Sequence, residues 1–244
     1  MFTDGVIPKD YSLDIDQDGI LAEDGATAGE DIVARVRMVL DLVWPNAGEA
    51  VNDYVCASLK VRSLRDYFRD PHGFLEYHIK RYSKSRRKAP IYWLLQSPRR
   101  SYGLWLYYHR LDRDTLYKAL TLYAEPKLRL EEDKLRAIEE RKDALPTAAQ
   151  GRRQLEREAE RQAAIVADIR EFRDRLERAA SLNLVPDLDD GVILNMAPLW
   201  ELVPWAEPKR YWDELLAGKY EWSAIGRQLR QRGLVGATAR RPRG

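Results

Sequence analysis

Apolar residues recur at helical spacing from residue 32 onward and predict the first helix of the chain. Ile32, Val33, Val36, Val39, Leu40 and Val43 follow Glu30 on one face, and Trp44-Pro45 stops the run. A second helix is predicted over residues 49–59, with Val51, Tyr54, Val55 and Leu59 on one face. Residues 63–82 read as helical with a break at Pro71-His72-Gly73. Between Pro90 and Pro98 the run IYWLLQS is apolar and has the length of a strand. Leu116, Leu120, Tyr123, Leu128, Leu135 and Ile138 then keep helical spacing, with a bend expected at Pro126, where proline removes a donor and crowds the preceding turn. Pro146, Thr147 and Gly151 mark a break. Beyond it Ile165, Ile169, Phe172, Leu176 and Ala179 step by 4, 3, 4 and 3, a heptad seam.

Two such helices with a break between them predict an antiparallel hairpin over residues 126–182. Its charged stretches, such as EREAER, read as a solvated helical face. The following part is punctuated by prolines and ends in a helix over residues 208–216, Gly218 and a last short helix. The expected fold is mainly α: a helical domain with a long antiparallel hairpin and a minor short-stranded or irregular element near residues 89–107 and 190–200. The expected organisation is an acidic, loop-rich segment (1–29), a helical region with a basic aromatic block (30–125), the hairpin or coiled coil (126–182), a packing region (183–234) and a basic flexible tail (235–244).

Composition supports a globular chain. Of 244 residues 45% are hydrophobic, enough for a core, and 33% are charged. No run of about 18 apolar residues could span a bilayer. The acidic N-terminal stretch lacks the apolar region of a secretory signal, so a cytoplasmic location is expected. Cys56 is the single cysteine, which excludes an internal disulfide and a cysteine-rich zinc site; within its apolar helix it reads as a small core residue. The net charge of +2 conceals blocks of opposite sign. Residues 1–61 hold 12 acids against 4 Lys/Arg, a balance of −8; residues 62–113 hold 13 Lys/Arg against 4 acids, a balance of +9; residues 227–244 hold six arginines and no acid. Such blocks either attract a polyanion or pair with one another.

Few motifs carry chemistry. Asp14, Asp16, Asp18 and Gly19 begin like a calcium loop, but Gly25 stands where the bidentate glutamate belongs, and an acidic surface loop is the simpler reading. His72, His78 and His109 have no metal-binding spacing. There is no nucleophile elbow, phosphate loop or dinucleotide fingerprint. The stretch SKSRRKAPIYWLLQSPRRSYGLWLYYHR remains. Lys84, Arg86, Arg87 and Lys88, with Arg99 and Arg100 across Pro98, could neutralise phosphates. Tyr92, Trp93 and Tyr102 could stack on bases, or they could be core, as aromatics interleaved with leucine often are.

The segments KAPIYW, LYYHR, EPKL and DDGVILNMAPLW, together with DGVIP near the start, resemble the C-terminal region of large adenine-specific DNA methyltransferases: the PglX-like enzymes of BREX phage defence and related type IIG-like and DISARM enzymes. The resemblance extends from about residue 4 to 234. It implies a system that uses S-adenosylmethionine to methylate the N6 of a flipped adenine. The catalytic Asn/Asp-Pro-Pro-Tyr/Phe tetrapeptide is missing; Ala89-Pro90-Ile91-Tyr92 and Val203-Pro204-Trp205 come nearest. The resemblance therefore implies a region without catalysis or cofactor of its own, serving DNA recognition or scaffolding in a restriction-modification or phage-defence system. Its expected partners are double-stranded DNA, a catalytic portion on the same or a neighbouring polypeptide and other defence proteins, with no membrane. The alternative is a protein-interaction module that assembles a defence complex through the hairpin, without touching DNA.

Overall fold

The computed structural model describes residues 18–24, 31–84, 87–146 and 151–236. Helix α1 (Ile32–Val43) starts one turn-residue later than Glu30 because Asp31 is its cap: the Asp31 carboxylate accepts from the N–H groups of Val33 and Ala34 at 2.8 and 2.9 Å. Helix α2 (Gly48–Leu59) packs on it closely, since a Cβ at Gly48 would lie 1.8 Å from Asp41 Oδ1. Its buried residues are Val51 and Cys56, while Tyr54 and Leu59 are exposed. The expected α2 stripe is thus corrected: the face packs on the small Cys56 rather than on Tyr54. Helix α3 (Leu64–Arg69), capped by Ser63, gives way at Asp70 to a short π-turn (Pro71–Leu75) and then to α4 (Glu76–Arg81). The predicted break falls where Gly73 leaves helical geometry; a Cβ there would lie 2.1 Å from the Tyr67 carbonyl oxygen.

Among the described residues the strands are β1 (Ile20–Ala22), β2 (Ser83–Lys84), β3 (Arg87–Lys88), β4 (Tyr92–Gln96) and β5 (Gly103–Tyr107). The last two join β1 in an antiparallel sheet of order β1-β5-β4, in register Leu94 to Trp105 and Leu21 to Trp105. This explains why IYWLL and GLWLY lack polar alternation, for the sheet is covered on both sides. Trp93, Leu95, Leu104, Leu106 and Ile20 face one core with the hairpin; Leu94 and Trp105 face another with α1, α3 and the π-turn. The open edge of β4 is occupied as well, the Gln96 N–H donating to the Leu202 carbonyl at 2.8 Å.

Helix α5 (Thr115–Lys118) runs through a π-turn (Ala119–Ala124) into α6 (Glu125–Asp143). Pro126 lies in the first turn of α6, directly after the wider π-turn, a position where a proline's missing N–H is tolerated. Helix α7 (Arg152–Ser181) returns antiparallel, as the heptad pattern predicts, with Ile169, Phe172 and Leu176 fully buried. Arg152 ties the bend by donating to the carbonyls of Lys142 and Leu145. Between the helices Glu131 accepts from Lys134, Gln162 and Lys127 at 2.8, 2.6 and 2.9 Å. Burial alone would raise its pKa, but these bonds bring it to about 2.

The C-terminal part adds α8 (Val192–Met196), α9 (Glu207–Leu216) and α10 (Ala224–Gln231) around a third small core of Leu194, Leu215, Ile225 and Leu229. The mainly α reading holds, with a stranded element over residues 92–107; the expectation of a short-stranded or irregular element near 190–200 is corrected, since Val192–Met196 is α-helical and Ala197–Leu199 continues it as a 3-10 turn.

Candidate nucleic-acid interface

The β4–β5 turn presents Arg99 and Arg100. It closes through the Ser97 N–H to the Tyr102 carbonyl and the Arg100 N–H to the Ser97 carbonyl, both 2.9 Å, with Arg100 left-handed at φ 63°. Beneath it Asp168 of α7 is buried. Its carboxylate accepts from Ser97 Oγ at 2.6 Å, the Arg99 N–H at 2.7 Å and the Ser101 N–H at 3.1 Å. Burial opposes ionisation of Asp168, but these donors, Ser97 foremost, hold its pKa below the usual carboxylate range. The turn's inward donors are thereby used up and its two guanidiniums are left outside. Both arginines are exposed; Arg100 lies 3.4 Å from Asp70, and Arg99 has no acidic partner among the described residues.

The SKSRRK segment sits elsewhere. β2 and β3 pair as a small ribbon at the opposite end of β4, so about 17 Å of strand separates the two basic loops. Within it Lys88 also ties the ribbon to α9: its Nζ lies 2.9 Å from Glu207 and 5.5 Å from the Trp205 ring centre. Arg86 lies outside the described residues, as do the side chains of Lys84 and Arg87.

The proposed stacking rings divide in the same way. Trp93 is 0% and Tyr102 2% exposed, Trp93 packed on Trp205 and Tyr102 edge-on to Phe172. Neither has a free face, and both are corrected to core residues. Tyr92 is half-buried and lines an apolar groove of about 270 Å³ with Leu21, Ile32, Val36, Phe68 and Phe74. Among the described residues its lining is apolar apart from Arg35 and the Tyr92 hydroxyl, and holds no carboxylate to meet the ribose hydroxyls of S-adenosylmethionine.

Two buried groups escaped the sequence reading. Glu23, at the end of β1, packs against Gly103 and accepts from Arg69 Nε at 3.2 Å. Burial raises its pKa to about 7, against the pull of Arg69. Neutral His78 accepts at Nε2 from the N–H groups of Ile91 and Tyr92, both at 3.0 Å, and burial lowers its pKa to about 4. His78 is thus a structural cap for β4. Asp18 likewise serves the fold, accepting from the Ile20 N–H and the Tyr123 hydroxyl; Asp14 and Asp16 of the calcium-like loop lie outside the described residues. Among the described residues no three His, Cys, Asp or Glu side chains converge as a metal site, and no helix is long and apolar enough to cross a membrane.

The stretches singled out in the sequence meet at the layer joints. Tyr108 of LYYHR and Asn195 of DDGVILNMAPLW are both buried and share a 2.9 Å hydrogen bond; the Tyr108 hydroxyl also donates to the Leu188 carbonyl. Lys127 of EPKL bonds Asp24 at 2.7 Å. These are joints of the architecture, and proteins sharing them should share this arrangement of layers.

Two curated proteins match the chain in sequence. The adenine-specific methyltransferase BrxX of Escherichia coli O9:H4 (strain HS) is 28% identical over 204 residues, 77% of this chain and 16% of the relative. The adenine-specific methyltransferase PglX of Lacticaseibacillus casei (strain Zhang) is 30% identical over 138 residues, 55% of this chain and 11% of the relative. The chain is related in sequence to adenine-specific methyltransferases. It spans only a small part of the length of these relatives. No family model matches it.

Proposed function

We propose that this chain is a DNA-contacting region, C-terminal in type, of an adenine-N6 DNA methyltransferase from a phage-defence or restriction-modification system. Methyl transfer and S-adenosylmethionine binding fall to a catalytic portion on the same or a neighbouring polypeptide. The partner is double-stranded DNA, with other defence proteins at the remaining surfaces. The observation that carries the reading is the Arg99-Arg100 turn: an internal carboxylate fixes its backbone and leaves two cations facing solvent. Preorganised charge of this kind contacts phosphate without reading sequence. The test compares the wild-type chain with the R99Q/R100Q double variant on a labelled duplex. A weaker complex, with a log K against log [salt] slope shallower by about two, supports the reading. Equal affinity and equal slope contradict it.

The protein-interaction alternative has its own support in the exposed Tyr117 of α5, Leu122 of the π-turn and Leu130 of α6. Deleting the hairpin would not test it, because Ile169, Phe172 and Leu176 belong to the main core. The L122Q/L130Q variant does: loss of association with the rest of the methyltransferase, with DNA binding intact, favours that reading.

A further inference from the structure

The seven tryptophans of the chain include Trp222, whose side chain is 58% exposed. It is held in place. Its ring is edge-on to Tyr220, with centres 6.4 Å apart at 85°, and Tyr220 stacks on Tyr211 at 5.6 Å and 19°. The Tyr220 hydroxyl donates to Glu214 at 2.6 Å, which fixes the middle ring. An indole at the end of such a row is oriented before anything binds it, so little ordering entropy remains to be lost.

A cation adjoins it: Arg227 donates to the Trp222 carbonyl. α10 buries Ile225, Gly226 and Leu229 and turns Arg227 and Arg230 outward, with Arg232 just past its end. Arg230 pairs with Glu221. Arg227 donates to the Trp222 carbonyl, and Arg232 to the Asn183 carbonyl at 2.7 Å; neither is in an ion pair with an acid among the described residues. A carbonyl partner fixes a guanidinium without cancelling its charge. The sequence reinforces this balance, since residues 227–244 contain six arginines and no acid. An apolar protein partner would leave an apolar surround; the residues tied to Trp222 or to Glu221 beside it are the exposed Arg227 and Arg230.

We propose that Trp222 and Arg227 form a second nucleic-acid contact, distinct from the Arg99-Arg100 turn, in which the indole stacks on an unpaired base and the guanidinium takes an adjacent phosphate. A flat cationic-rimmed ring suits an unpaired nucleotide because every base has a π-face and a neighbouring phosphate. The proposal extends the DNA-contact reading to unpaired strand but uses different residues, so the two fail separately.

The test measures anisotropy of a labelled single strand and of a blunt duplex with the full chain, comparing wild type, W222A, W222F and R227Q. W222A should weaken single-strand binding roughly tenfold and duplex binding less than twofold, with W222F keeping most of the affinity. R227Q should weaken both and make the salt slope shallower by about one. W222A matching wild type on the single strand overturns the proposal; if R99Q/R100Q still loses duplex binding, the DNA-contact reading survives that result. Wild type binding neither probe overturns both. A W222A effect confined to association with a protein overturns the nucleic-acid assignment in favour of a protein contact.

Discussion

Asp168 brings a negative charge into the core, where three donors of the β4–β5 turn meet it. Replacing it by alanine strands those buried donors, and we expect Asp168→Ala to cost about 2–4 kcal/mol in urea denaturation. Its folded pKa is depressed, so its contribution is present above the ordinary value of 3.8 and is lost as pH falls through the folded value. Glu23 has the opposite sign. Its folded pKa is raised from 4.5 to about 7, so its contribution is full below pH 4.5 and is lost as pH rises through about 7. The difference corresponds to about 3 kcal/mol at alkaline pH. Glu23→Gln should therefore raise the urea midpoint at pH 8 and change it little at pH 4.5; an unchanged midpoint at pH 8 contradicts the assignment. Neither residue was legible in the sequence. Asp168 stands 71 positions from Ser97, and nothing at that spacing marks a cap.

At the scale of elements, local patterns foretold more. The heptad steps of Ile165 to Ala179 identified the buried seam of α7, and Trp44-Pro45 and Pro71-His72-Gly73 marked real boundaries because proline and glycine act within one turn. What local pattern missed was choice of face: Tyr54 and Cys56 both fit an amphipathic α2, and only the approach of neighbouring elements selects the small one. The same limit applied to the aromatics of β4, whose two faces alternate between two cores. The hairpin's halves differ in energetic weight. Phe172 belongs to the main core, whereas Leu155 packs in a satellite cluster with Ile138 and Ala159. Phe172→Ala is expected to cost about 3–5 kcal/mol and Leu155→Ala about 2 kcal/mol by chemical denaturation. Equal losses would show that the hairpin is one energetic unit.

Across the whole molecule, a small two-sided sheet joins helical layers, and the most recognisable sequence segments are its joints. Tyr108 and Asn195, Lys127 and Asp24, and Lys88 and Glu207 each link distant parts of the chain. A joint needs partners of particular type and reach, whereas a surface cation leaves no pattern beyond charge, so the contact surface was less legible in the sequence than the layers. The basic block was one feature in sequence and became three in space: a turn with two exposed arginines, a ribbon tied to α9 and a core of rings. A charged turn that meets phosphate must displace counterions, and this sets the decisive measurement. Duplex binding by the wild-type chain should be followed from about 50 to 200 mM salt. The account predicts affinity that falls linearly in log–log form with a slope of at least about −2, one unit for each turn arginine. Binding independent of salt, or no binding at 50 mM, would contradict it.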